Sequence, residues 1–379
     1  MKLALLGADV ESLQLAEAAA AAGHEIAWQA DTAAGMAGQW EGPHGAGGDW
    51  RQLLDAETTD AVIVGHGAGG DELRAHQVQE LVRLDRPVLT TFPLFGSVLT
   101  YFEIDMARTE SGAIVQHFNP LAEAAELSDA AEWIERGHPE LGAIEQVNGT
   151  RRLDDRSREL VLWHFARDVE MLGKVAGRLD RVGAHAGAEG QEPNYAALSV
   201  QLLGPSGVPV RWSVEPPAGR EGLTLTFVFQ RGRLSFDFDA SGRWESAPPD
   251  AKAAAKVVER FAATVEAGDS WASTWPDALH AMELTDSIEI SLRRGRMIDV
   301  HHQQLTEHLA FKGTMAAAGC AMLFLLVPLY FFVAWIAGRF GVPIGQFAPH
   351  VLFGVLALFL AMQLLPKLVC RSPAEASEE

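Results

Sequence analysis

Residues 2–23 read KLALLGADVESLQLAEAAAAAG: a short apolar run from Leu3 to Leu6, then Gly7, then an alanine-rich stretch that ends at Gly23. That is a strand, a tight turn and a helix. Working outward, residues 25–30 (EIAWQA) read as a second strand closed by Asp31, and residues 61–64 (AVIV) as a third that enters a glycine-rich turn at 65–70. A helix over 71–84 leads to a strand at 87–91. Strands alternating with helices through the first 120 residues predict an α/β domain built on a parallel, doubly wound sheet. From about residue 184 the apolar period becomes two: Leu198, Val200, Leu202; Leu223, Leu225, Phe227, Phe229; and Leu234, Phe236, Phe238 beyond the turn at Arg231, Gly232 and Arg233. This predicts an α+β domain over 121–302 with a large open, mainly antiparallel sheet, closed by a helix at 275–294.

Composition narrows the function classes. The 379 residues carry 30 Lys and Arg against 50 Asp and Glu, a net charge of −20 that repels phosphate backbones and argues against nucleic acid as a partner. A hydrophobic content of 48% excludes a disordered chain. The two cysteines, Cys320 and Cys370, leave the region before residue 300 without thiol chemistry, a disulfide framework or a cysteine metal site. His301 and His302 are adjacent in an extended stretch and point to opposite sides, so no metal is expected.

The first apolar run is broken by Asp9 after Ala8, too early for a signal-peptide core. Residues 314–336 (TMAAAGCAMLFLLVPLYFFVAWI) are long enough to cross the hydrocarbon, and residues 347–366 form a second, more marginal span. Residues 303–313 are a linker and 367–379 an acidic tail. Arg293, Arg294, Arg296 and Lys312 precede the hairpin, Lys367 and Arg371 follow it, and Arg339 alone lies in the connection. The expectation is an anchor in the cytoplasmic membrane with both termini and the soluble domains on the cytoplasmic side, and the lipid bilayer as a partner.

Three short runs carry a resemblance. His117-Phe118-Asn119-Pro120 is similar to an Arg-Tyr/Phe-x-Pro element, residues 137–144 (GHPELGAI) to a Gly-x-Ile/Leu-Gly-x-Ile element, and residues 275–300 to a closing helix and strand. Over roughly 1–300 the chain resembles the Gfo/Idh/MocA family of NAD(P)-dependent oxidoreductases. The resemblance implies a Rossmann domain joined to an α/β domain, an NAD or NADP cofactor, and a sugar-like or cyclitol ligand. It also implies a cofactor site built from Gly7, Ala8, Asp9 and Val10, with Asp31 where a ribose-binding acid stands, and with Gly65 and Thr91 at the following strand ends.

The chain departs from that family at three places. The glycine fingerprint falls on Gly7-Ala8-Asp9-Val10-Glu11-Ser12, so an aspartate and a serine replace its second and third glycines. Asp9 can cap the helix, taking the amides a pyrophosphate needs. A carboxylate about 5 Å from a pyrophosphate, at an effective dielectric near 20, costs about 3 kcal/mol, roughly a hundredfold in affinity. The family's Glu-Lys-Pro run reads Thr91-Phe92-Pro93, and no lysine occurs between Lys2 and Lys174. Phe92 donates no proton. The family's Asp-x-x-x-His pair falls on Trp163 and Arg167. His164 and Asp168, four apart on one helical face, are the remaining acid–base candidates, or else a structural pair.

Two readings follow, with a third compatible with either. One is a non-catalytic binding or scaffold protein at the membrane; the other is an active NAD(P)-dependent oxidoreductase with replaced catalytic groups. The third is a homo-oligomer formed through the second-domain sheet, with Phe227, Phe229, Phe236 and Phe238 as candidate contacts.

Overall fold

The computed structural model describes residues 1–31, 49–55, 57–67, 69–189, 192–217, 219–239 and 251–300, with four further positions at 332, 335, 336 and 339. β1 (Lys2–Leu6) is buried at every position but the first and turns at Gly7 into α1 (Val10–Ala21). β2 (Glu25–Ala30), β3 (Ala61–Val64), α2 (Gly70–Arg83), β4 (Val88–Thr91), α3 (Val98–Ser111) and β5 (Val115–Phe118) follow. The five strands form one parallel sheet in the order β2-β1-β3-β4-β5. Every residue of β3, β4 and β5 is buried, as a parallel sheet covered on both faces requires. The strand order reverses between β1 and β3, so their carboxyl ends open the crevice where such sheets hold ligands.

The second half contains α4 (Ala130–Arg136), β6 (Ile144–Arg152), α5 (Arg158–Ala176), β7 (Arg181–Glu189), β8 (Glu192–Leu203), β9 (Val210–Glu215), β10 (Gly222–Phe229) and β11 (Gly232–Asp239). α6 (Ala251–Ala267), α7 (Trp275–Arg294) and β12 (Ile298–Asp299) close it. Its seven-stranded sheet has the order β11-β10-β6-β9-β8-β7-β12. β6 and β9 run parallel and the other neighbours antiparallel, as the period-two pattern anticipates.

Among the contacts that tie the halves together, two are apolar or aromatic. Val257, Val258 and Phe261 of α6 share a buried cluster with Leu3, Leu5 and Leu13, so a helix late in the chain covers the first sheet. Tyr101 of α3 stacks on Trp275 of α7, with ring centroids 4.8 Å apart, and the Trp275 indole donates to the Tyr101 carbonyl at 3.1 Å.

The phenylalanines expected to pair chains face the other way. Phe227 and Phe238 are fully buried, and Phe227, Phe229 and Phe236 pack around Trp133 of α4 beneath the sheet. Alternation leaves Thr224 and Thr226 opposite Asp237 and Ser235 on the outer face. These aromatic side chains are therefore core, and a sheet-mediated oligomer finds no support in them. The expected spans at 314–336 and 347–366, the linker, the acidic tail, His301, His302 and both cysteines lie outside the described residues, save the isolated positions 332, 335 and 336. Among the described residues no helix is long and apolar enough to cross a membrane.

Gly7 adopts φ +76°, and a Cβ there would lie 2.5 Å from the Gly65 carbonyl and 2.6 Å from that of His66. Gly23 adopts φ +85° with open space around it. Gly23→Ala is expected to cost about 1–2 kcal/mol of unfolding free energy from conformation alone. Gly7→Ala should cost about 3 kcal/mol or more, because strain and backbone overlap add. Urea unfolding of the two variants checks this, and equal costs would contradict it.

Candidate dinucleotide cleft

At the crevice, Asp9 is the N-cap of α1 with extended backbone, and its side chain is fully engaged. Oδ1 accepts from the Ser12 amide at 2.7 Å, and Oδ2 accepts from the His66 amide at 2.8 Å and the Thr91 hydroxyl at 3.1 Å. The Ser12 hydroxyl accepts from the Asp9 amide at 2.9 Å, completing a reciprocal capping box. The two residues that replace fingerprint glycines thus bind each other. Gly65 is required beside them, since a Cβ there would lie 2.4 Å from the Ser12 oxygen. The expected cofactor residues Gly7, Ala8, Asp9, Gly65 and Thr91 do come together: the Gly7 amide donates to the Ala30 carbonyl and the Ala8 amide to the His66 carbonyl, each at 2.9 Å. Val10 points outward and is exposed.

Asp31 follows β2 in a left-handed conformation, φ +51°. Its carboxylate accepts from Arg74 of α2 at 2.7 Å. The Arg74 side chain is buried, a second bond runs to Gln77 at 2.8 Å, and burial pulls its pKa down against the pull of Asp31. A Cβ on Gly7 would lie 2.6 Å from Arg74 Nη2, and one on Gly67 would overlap it. The guanidinium therefore fills the hollow between the glycines of the first and third strand ends. The sequence carries a signal for Arg74: it stands in register with Val78, Leu81 and Val82 on the buried face of α2.

The second-domain candidates do not pair as expected. Asp168 receives a two-point contact from Arg151, at 2.9 Å from Nε and a shorter one from Nη2, and the Trp212 indole at 2.8 Å. Its carboxylate is buried in that structural network and orients no imidazole. His164 packs edge-on against Trp163. Burial, reinforced by the charges of Arg151 and Arg167, lowers the His164 pKa to about 2. It stays neutral through the physiological range and is no proton shuttle there.

Trp163 and Arg167, at the positions of the family's acid–base pair, act as a bridge. The Arg167 guanidinium lies over the Trp163 ring, 4.7 Å from its centroid, and pairs with Glu11 on the first turn of α1. The second domain thereby reaches across to α1. Phe92 is buried against Tyr101 and His117 with no polar role. His117 Nε2 lies 3.0 Å from Glu170 Oε1, both side chains being buried, and its Nδ1 lies 3.0 Å from the Thr274 hydroxyl. Asn119 and Lys174 also bind Glu170, and Lys174 and Arg260 bind Glu123. Burial alone would raise the Glu170 pKa; His117, Lys174 and Asn119 hold it down to about 2. This network joins β5, α5 and α6. Among the described residues no His, Cys, Asp and Glu side chains are grouped in threes to hold a metal ion.

Solved structures share this architecture. A probable dehydrogenase from Thermotoga maritima superposes with a TM-score of 0.62 at 14% identity, over 79% of this chain and 98% of that one. A putative myo-inositol dehydrogenase from Sinorhizobium meliloti 1021 gives 0.62 at 16% identity, over 79% and 100%. A scyllo-inositol dehydrogenase from Lactobacillus casei, bound to NAD(H) and scyllo-inositol, gives 0.60 at 10% identity, over 79% and 98%. At these identities the likeness shows the fold: a Rossmann-like parallel sheet plus a mixed-sheet domain, as in NAD-dependent sugar and cyclitol dehydrogenases. No family model matches the chain, and no curated protein does.

Burial, with the charge of Asp9 against that of Arg167, raises the Glu11 pKa from 4.5 to about 7. Between those values the folded state holds a proton that the unfolded state has released, so this group's contribution falls as pH rises from 4.5 to 7. His164 acts oppositely below 6.5, where the unfolded state takes up the proton. The stability advantage of the parent over Glu11→Gln should therefore shrink by about 3 kcal/mol between about pH 5 and pH 8. Paired urea titrations measure it, and a difference independent of pH would contradict it.

Proposed function

We propose that this chain is a non-catalytic binding or scaffold protein of dehydrogenase fold, held at the cytoplasmic face of the membrane, whose nucleotide cleft is closed by its own side chains. The observation that carries the reading is the Asp9 carboxylate, which accepts three hydrogen bonds from groups at the sheet's switch point. A pyrophosphate approaching there meets a fixed negative charge and amides already engaged. Arg74 in the adjoining hollow, Phe92 in place of a proton donor, and the Glu11–Arg167 bridge across the catalytic positions point the same way. Anchoring rests on the uncharged stretch within 314–336 and on the arginines that precede it.

The second reading is an NAD(P)-dependent oxidoreductase acting on a sugar-like or cyclitol substrate. It is favoured by the shared fold, since the Lactobacillus casei enzyme holds NAD(H) and scyllo-inositol. It requires Asp9 to give up its partners and Arg74 to leave the hollow.

Titration of the full chain with NADH and NADPH, followed by nucleotide fluorescence and thermal stabilisation, separates the two. No saturable binding is expected up to about millimolar nucleotide, an affinity weaker than about −4 kcal/mol. Asp9→Gly/Ser12→Gly, which restores the glycine fingerprint, should gain at least about a hundredfold. Micromolar binding by the parent chain would overturn the first reading and favour the second.

A further inference from the structure

We propose that the corner formed by the end of α7, β12 and the start of β7 is a docking face for anionic phospholipid headgroups. The proposal rests on the membrane-anchored reading and adds to it a defined lipid contact. α7 ends with Arg293 and Arg294, turns at the left-handed Gly295, and continues through Arg296 and Met297 into β12. β12 then pairs with β7, Asp299 opposite Arg181 and Ile298 opposite Val182, and the Val300 amide donates to the Asp180 carbonyl at 2.7 Å. Arg178 lies just before β7.

The corner is rigidly held. The Ser291 hydroxyl accepts from the Ala184 amide at 2.9 Å and donates to the Arg296 carbonyl at 2.8 Å, which pins the turn onto β7. Met297 sits over Gly183 and is 38% exposed, an apolar side chain among the cations.

Unpaired arginines occur elsewhere on the surface, at Arg211, Arg231 and Arg233, but at this corner they are gathered together. Arg83, Arg108 and Arg136, on other helices, each pair with an acid one turn away. Arg178, Arg293, Arg294 and Arg296 are exposed and enter no ion pair among the described residues. Arg181 approaches only its neighbour Asp180, at 3.6 Å. Five arginines face two carboxylates, Asp180 and Asp299, in a chain whose net charge is −20. Glu289, one turn earlier on α7, is engaged by Arg158 and Tyr195.

A compact positive corner on an acidic protein fits a surface of like-charged phosphates held at fixed height. A bilayer is such a surface, and basic clusters beside a membrane segment are drawn to its anionic lipids. The apolar stretch 314–336 begins fourteen residues after Val300 in the sequence.

The test uses the full chain, reconstituted into nanodiscs of phosphatidylcholine alone or with about one third phosphatidylglycerol. Arginine modification by phenylglyoxal is followed by mass spectrometry. Modification of Arg178, Arg181, Arg293, Arg294 and Arg296 is expected to slow several-fold in the anionic discs and to recover in about 0.5 M salt. Arg83 and Arg136 should be unaffected by the lipid. Equal rates in the two discs, with the chain retained in both, would leave the anchor standing and overturn the lipid face. Association with anionic bilayers alone, reversed by salt, would support the face and refute the anchor. A chain that joins neither bilayer refutes both.

Discussion

The Asp9 carboxylate is the constraint on which the cleft depends. It stands at the positive end of α1, where the strand order reverses, and it binds one donor from each of three elements: Ser12 on α1, His66 after β3 and Thr91 at the end of β4. A phosphate in a related cleft would draw on such donors from outside. Here the anion is covalently part of the chain, so the switch point is satisfied without a ligand. Charged hydrogen bonds of this kind are worth about 1.5–3 kcal/mol each, and displacing Asp9 forfeits several together.

The other departures become consistent around that point. Ser12 returns a hydrogen bond to Asp9, which makes the two substitutions a unit rather than separate losses. Arg74 supplies the cation that neutralises Asp31 and occupies the neighbouring hollow. Arg167 closes the approach from the second domain by reaching Glu11. His117 and Asn119 lead instead into Glu170 and the domain junction. Asp9, Ser12, Asp31, Arg74, Arg167, His117 and Asn119 thus all have partners from the chain itself.

The alternation of strands and helices was legible because buried parallel strands and amphipathic helices write their periods into short windows, as at 61–64 and 275–294, whereas the order of strands within each sheet was not. Asp9 was legible as a cap because capping is local. The partners of Asp9 at His66 and Thr91 were not, since they lie 57 and 82 residues away. Separation in sequence, by 17 and 44 residues, likewise hid Arg151 and Trp212, which claim the carboxylate that helical spacing had assigned to His164. Alternation identified Phe227, Phe229 and Phe236 as one face of a sheet, but which face meets the core depended on Trp133, outside the strands.

Amide hydrogen exchange at Ser12 and His66 in the full chain tests the closed cleft most directly, because these amides are the ones a pyrophosphate would have to recruit. The account predicts slow exchange in nucleotide-free protein and no change on adding about millimolar NADH. Fast exchange that becomes protected only when NADH is present would show an open, ligand-seeking cradle and contradict it.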